Sequence, residues 1–164
     1  MVTRTSFGVL PIQRTDKAEA TRILRRAFES GINFYDTARA YTDSEEKLGS
    51  ALAEVRDDII IATKSGATTR AGVLSDLATS LKNLRTDYVD ILQLHNPAEL
   101  PEPDDPDSSY AGLVEARRRG MIRHFGITQH SIERAERAVA SGLYETMQFP
   151  LCMISSGRDL GLIE

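Results

Sequence analysis

Short runs of β-branched and aromatic residues alternate six times with longer segments of helical period along this chain, the pattern of repeated βα units around a parallel sheet. Phe7–Leu10 is the first strand. Asp16, in capping-box spacing with Glu19, opens a helix that carries Ile23, Leu24, Ala27 and Phe28 on one face and stops at Gly31. Ile32–Tyr35 is the second strand. Ser44, Glu45 and Glu46 suit the positive end of a following helix with Leu48, Ala51, Leu52 and Val55 on its core face. Ile59–Ala62 is the third strand and precedes a helix with Val73, Leu74, Leu77, Leu81 and Leu84. Val89–Leu94 is the fourth and leads into Asn96-Pro97. Residues 98–109, rich in proline and acids, read as a solvated connection. Leu113, Val114 and Ala116 lie on a helix ending near Gly120, and Ile122–Thr128 is the fifth strand. Ser131 caps a helix running through Val139 to Gly142, Thr146–Phe149 is the sixth strand, and Ser155–Glu164 begins a further connection.

Two architectures use right-handed parallel crossovers of this kind, the closed eight-fold βα barrel and the open doubly wound sheet. The first strand-to-helix turn, Pro11-Ile12-Gln13-Arg14, lacks the glycine fingerprint that a dinucleotide-binding open sheet places there, and no phosphate-cradling Lys-Ser/Thr loop occurs. The expectation is therefore a TIM (β/α)8 barrel, incomplete, with about six of eight units, as a single partial domain over residues 1–164. With 41% hydrophobic and 27% charged residues the chain can bury a real core. A net charge of -4 offers no basic field for nucleic acid or anionic lipid. Cys152, the only cysteine, excludes an internal disulfide and a cysteine-based metal cluster and suits a reducing cytoplasm. No apolar leader and no stretch approaching the roughly 18 apolar residues of a membrane span is present, so a soluble cytoplasmic protein is expected.

In a parallel barrel the C-terminal strand ends gather around one mouth. Asp36 follows the second strand, Tyr41 lies in its loop, Lys64 follows the third strand and His95 closes the fourth. Each alone has an ordinary structural reading: a turn, a surface lysine, a satisfied histidine. Their joint placement points to a site. A carboxylate and an ammonium on adjacent strands can pair, and an ammonium beside a phenol lowers the phenol's pKa, which makes Tyr41 a proton donor. His124 and His130 have no metal-pair spacing and read as surface or strand-end residues. The run Arg117-Arg118-Arg119 at a helix end faces the helix dipole and solvent.

Asp36-Thr37-Ala38-Arg39-Ala40-Tyr41, followed by Ser44-Glu45-Glu46-Lys47-Leu48-Gly49, resembles the aldo-keto reductase family. Ile61-Ala62-Thr63-Lys64 is similar to that family's lysine strand, and Asp87 to His95 to its histidine strand. The resemblance implies a catalytic tetrad of Asp36, Tyr41, Lys64 and His95, with NADPH as cofactor, a small aldehyde or ketone as substrate and no metal. It also implies that Asp36, Thr128, Gln129 and Gln148 contact the cofactor. Gly126-Ile127-Thr128-Gln129 stands where the family has Gly-Val-Ser-Asn, and Gln148 matches its glutamine at the nicotinamide amide. Leu151 and Cys152 replace the tyrosine and asparagine usual downstream.

A barrel of this type usually takes about 250 residues, so two βα units, with the loops that hold the cofactor phosphates, are expected to be missing. The open first and sixth strands would then invite self-association. The alternative to an NADPH-dependent carbonyl reductase is an inactive or regulatory fragment without the phosphate-binding half. A C-terminal iron-sulfur extension in the full-length protein is a further expectation drawn from the same resemblance. Substrate identity and oligomeric state are not legible in these residues.

Overall fold

The computed structural model describes residues 1–162. Six strands form one sheet, β1 (Phe7–Gly8), β2 (Phe34–Asp36), β3 (Ile60–Ser65), β4 (Val89–His95), β5 (Ile122–Thr128) and β6 (Thr146–Gln148). All five pairings are parallel and the spatial order equals the chain order. A doubly wound sheet reverses its strand order partway; a barrel wall does not. The chain therefore folds as part of a (β/α)8 barrel with about six βα units.

The helices between them are α1 (Lys17–Glu29), α2 (Ser44–Leu52), α3 (Arg70–Leu84), α4 (Ser109–Arg118) and α5 (Ile132–Ser141), with a short α6 (Gly157–Leu160) after β6. Side-chain caps start most of them: Asp16 accepts from the Glu19 N–H, Thr69 from Gly72, Ser108 from Ala111 and Ser131 from Arg134. Gly142, with φ 66°, closes α5 in the left-handed conformation that glycine adopts without a Cβ clash.

Strand alternation divides the sheet into two faces. Tyr35, Ile61, Leu92, Leu94, Phe125 and Ile127 are buried in the main hydrophobic cluster together with helix residues such as Leu24, Leu48, Leu77 and Leu113. The other parity carries Asp36, Lys64, His95, Thr128 and Gln148. Register fixes their heights: Asp36 is level with Ala62, Lys64 with Gln93, His95 with Thr128, and Thr128 with Gln148.

Several boundaries differ from the expectations. Leu10 leaves β1 and enters a 3-10 turn over Leu10–Arg14, because Pro11 has no N–H to donate to a ladder. β2 begins at Phe34 and includes Asp36, and β3 runs to Ser65, so Lys64 lies within its strand. The pairing of Lys64 with Gln93 and Ser65 with Leu94 carries β3 beyond its apolar run. Val55 falls in a 3-10 segment, Ala53–Asp58, after α2. Phe149 lies outside β6, just before Pro150. The connection from Ser155 contains α6, and its last two residues lie outside the described residues.

Candidate active site

Lys64 is 3% exposed. Its ammonium donates to Asp36 Oδ2 at 2.7 Å and to the Thr37 carbonyl oxygen at 2.7 Å. The register explains the pair: Lys64 stands two residues beyond Ala62, the partner of Asp36, on the same face of β3.

The loop after β2 continues alongside β3. Thr37 donates to the Ala62 carbonyl at 2.9 Å and Arg39 to the Lys64 carbonyl at 3.0 Å. Tight turns then follow, with Tyr41 N–H on the Ala38 carbonyl at 3.0 Å and Ser44 N–H on the Tyr41 carbonyl at 2.8 Å. Tyr41 thereby comes under Lys64, whose Nζ is 5.3 Å from the phenol ring centre. The His95 ring meets Tyr41 edge to face, with centres 5.7 Å apart and an interplanar angle of 82°. Tyr41, Lys64 and His95 line one pocket of about 470 Å³ with Thr128, Gln129 and Gln148.

Asp36 does not line that pocket. It faces an adjoining cavity with Ala62, Ile91, Gln93 and Gln148, so its link to the pocket runs through Lys64. Among the four residues expected at the mouth, all stand at one end of the sheet.

The electrostatics differ from expectation at Tyr41. Burial, and then the Asp36 charge, push its phenol above the ordinary range. These outweigh the opposing charge of the Lys64 ammonium, which donates its hydrogen bonds to Asp36 and Thr37. Tyr41 thus holds its proton at neutral pH. Burial pulls the Lys64 ammonium down, against the opposing pull of Asp36. Burial and then Lys64 lower the His95 imidazole from 6.5, so it is neutral at pH 7.

Thr128 and Gln129 are each partly engaged by the protein. Thr128 Oγ1 accepts from the Asn96 N–H at 2.9 Å. Gln129 donates from Nε2 to the Pro97 carbonyl at 3.0 Å and accepts from Arg134 Nε at 3.0 Å. Thr128, Gln129 and Gln148 all line the pocket, and the Gln148 side chain is exposed.

Three residues of this region escaped the sequence reading. Glu45 was legible only as a favourable charge in a first helical turn. It is buried, accepting from Arg39 at 2.5 Å, Thr63 at 2.8 Å and Asn83 at 3.2 Å. Glu45 thus ties the Tyr41 loop to β3 and α3. His130, read as a surface residue, is exposed but also lines the pocket. Asn96 gave no signal beyond its place before Pro97. His124 pairs with Glu145 at 2.5 Å away from the pocket. Arg118 and Arg119 pair with Glu115, and Arg117 with Glu145, as expected of a solvated helix end. Among the described residues, no cluster of three or more His, Cys, Asp or Glu could hold a metal, and no helix is long and apolar enough to cross a membrane.

The model of the aldo/keto reductase family matches residues 5–154. Aldo-keto reductase YhdN of Bacillus subtilis is 33% identical over 150 residues, covering 83% of this chain and 44% of that protein. Methylglyoxal reductase DkgB of Salmonella typhi is 32% identical over 148 residues, covering 85% and 53%. The chain spans about half the length of these curated relatives. Among solved structures, the holo form of an aldo-keto reductase from Bacillus halodurans superposes with a TM-score of 0.80 at 30% identity, covering 92% of this chain and 54% of that one. An aldo/keto reductase from Brucella melitensis gives 0.77 at 27%, covering 96% and 62%. With its family motif matched from residue 5 to 154 on a barrel wall of sequential parallel strands, the chain belongs to the aldo/keto reductase family.

Proposed function

We propose that the corner formed by Asp36, Tyr41, Lys64 and His95 reduces an aldehyde or ketone to its alcohol, with NADPH as the cofactor. The observation that carries this reading is the meeting of Tyr41, Lys64 and His95 at one pocket, with Lys64 anchored by Asp36. NADPH, when bound, supplies the hydride that reaches the carbonyl carbon. Thr128, Gln129 and Gln148, which line the pocket, would hold its amide. A contact from Asp36 to the cofactor would come from the adjoining cavity, where Gln148 also lies.

Tyr41 donates a proton to the carbonyl oxygen as the alcohol forms. A phenol held protonated by burial is the acid form this step requires. Lys64 faces the ring with a positive charge that favours the phenolate left behind, and Asp36 keeps that ammonium in place. Neutral His95 donates a hydrogen bond to the carbonyl oxygen and orients it. The proton and the hydride together account for the two hydrogens of the alcohol. The name of the Salmonella typhi relative makes methylglyoxal a fitting probe.

A second reading, a non-catalytic binding or regulatory module, is favoured by the sheet edges: β1 pairs only with β2, and β6 only with β5, among the described residues. The same open edges support self-association in a reducing cytoplasm, where Cys152 stays free. The experiment that separates the two readings is NADPH oxidation in the presence of methylglyoxal. Aldehyde-dependent loss of NADPH supports the reductase; none at saturating cofactor supports the module.

A further inference from the structure

Among the described residues, three non-glycine residues have positive φ: Thr42 at 41°, Arg85 at 57° and Asn96 at 51°. Arg85 caps the C-terminus of α3, an ordinary place for that conformation. The other two each directly follow a site residue, Thr42 after Tyr41 and Asn96 after His95. A left-handed backbone is costly for residues with a Cβ and persists where the surroundings impose it, often beside functional groups. Glycine would adopt either turn without that cost but has no side chain to offer.

At Asn96 the side chain and backbone both bind the neighbouring unit. The Asn96 N–H donates to Thr128 Oγ1 at 2.9 Å, and Asn96 Oδ1 accepts from the His130 N–H at 3.1 Å. Pro97 adds its carbonyl, which accepts from Gln129 Nε2 at 3.0 Å. The end of β4 is therefore clamped to three consecutive residues, Thr128 at the end of β5 and Gln129 and His130 just beyond it. Thr42 is built similarly, its hydroxyl donating to Gln13 Oε1 at 3.2 Å in the turn after β1.

We infer that Asn96 is a positioning residue for His95: its left-handed turn, locked to Thr128 and His130, fixes the direction in which the imidazole points into the pocket. The consequence for turnover rests on the reductase reading, but the geometry itself does not. His95 is surrounded by Tyr41 from the loop after β2, Lys64 from β3, Asp36 from β2 and His130 from the loop after β5. A ring held among these groups and half-buried titrates below the ordinary histidine range. A ring released from the clamp gains water and titrates closer to an unperturbed imidazole.

The test uses the chain with no cofactor, by NMR titration of its three histidines, His95, His124 and His130. Asn96→Gly keeps the backbone conformation and removes the acceptor for His130. Thr128→Val removes the acceptor for the Asn96 N–H at constant shape, and Thr128→Ser retains it. The expected result is an upward shift of the His95 midpoint in Asn96→Gly or Thr128→Val that Thr128→Ser does not show, with His124 unmoved as the marker of an intact fold. If Asn96→Gly disturbs His124, the Thr128 pair alone decides. An unchanged His95 midpoint in both loosened variants, or a shift in Thr128→Ser as large as in Thr128→Val, overturns the inference. Neither result depends on carbonyl reduction, so failure of the clamp and failure of the reductase reading are separately visible.

Discussion

Lys64 Nζ lies 2.7 Å from Asp36 Oδ2, with the lysine side chain 3% and the aspartate 18% exposed. Removing one partner of such a pair strands a charge in a poorly hydrated place. Asp36→Asn is expected to cost on the order of 3 kcal/mol of stability, because the ammonium keeps only the Thr37 carbonyl as an undiminished acceptor. Adding Lys64→Met restores most of that loss, since the uncompensated charge goes with it. Urea denaturation of the two single variants and the double variant measures the coupling. Additive losses would mean that the pair is not the unit that fixes these strand ends.

The depressed His95 titration also links stability to pH. Below the ordinary value of 6.5 the unfolded chain takes up a proton that the folded chain resists. The unfolded state then binds more protons, so stability falls as pH drops from 6.5 toward the lower folded value. Thermal melting from pH 7.5 downward, about one unit past 6.5, is expected to show a shallower slope in His95→Gln than in the parent. Equal slopes would mean that the imidazole is not held in its desolvated form.

Glu45 is 1% exposed in its side chain and joins Arg39, Thr63 and Asn83. Glu45→Ala leaves the guanidinium and two polar groups without their acceptor and is expected to cost about 3–5 kcal/mol. Glu45→Gln keeps an acceptor and is expected to cost about 1–3 kcal/mol. Denaturant midpoints of the two variants check the order, which follows from the loss of charge in one and of all contacts in the other.

The barrel wall was legible because alternation of period is a local signal: the residues of β3, β4 and β5 are apolar enough to announce themselves. Asp36, Lys64 and His95 were found for the same reason, as ionisable residues at the ends of such runs. What was not legible depends on which strand lies beside which. The reach of β3 to Ser65 is set by pairing with β4, and the raised phenol of Tyr41 by burial that no spacing reveals. Glu45 looks in sequence like any acidic residue in a first turn. Its burial follows from the Arg39 and Thr63 positions, which only the folded loop brings together. Asn96 was hidden because its role lies in a backbone angle.

Among the described residues β1 and β6 each have one unpaired side, and the 164-residue chain by itself is expected to self-associate, with a size that grows with concentration. Size-exclusion chromatography over a dilution series checks this. A monomer at all concentrations would mean that these edges are blunted by the flanking segments.

The most direct measurement for the reductase account compares the parent with Tyr41→Phe in aldehyde-dependent NADPH oxidation, alongside cofactor binding followed by fluorescence. Loss of the hydroxyl removes the proposed proton donor and leaves the ring that faces Lys64 and His95. Turnover is expected to fall by about 10²–10⁴-fold with NADPH affinity nearly unchanged. Turnover in Tyr41→Phe equal to that of the parent would contradict the assignment of Tyr41 as proton donor and, with it, the proposed mechanism.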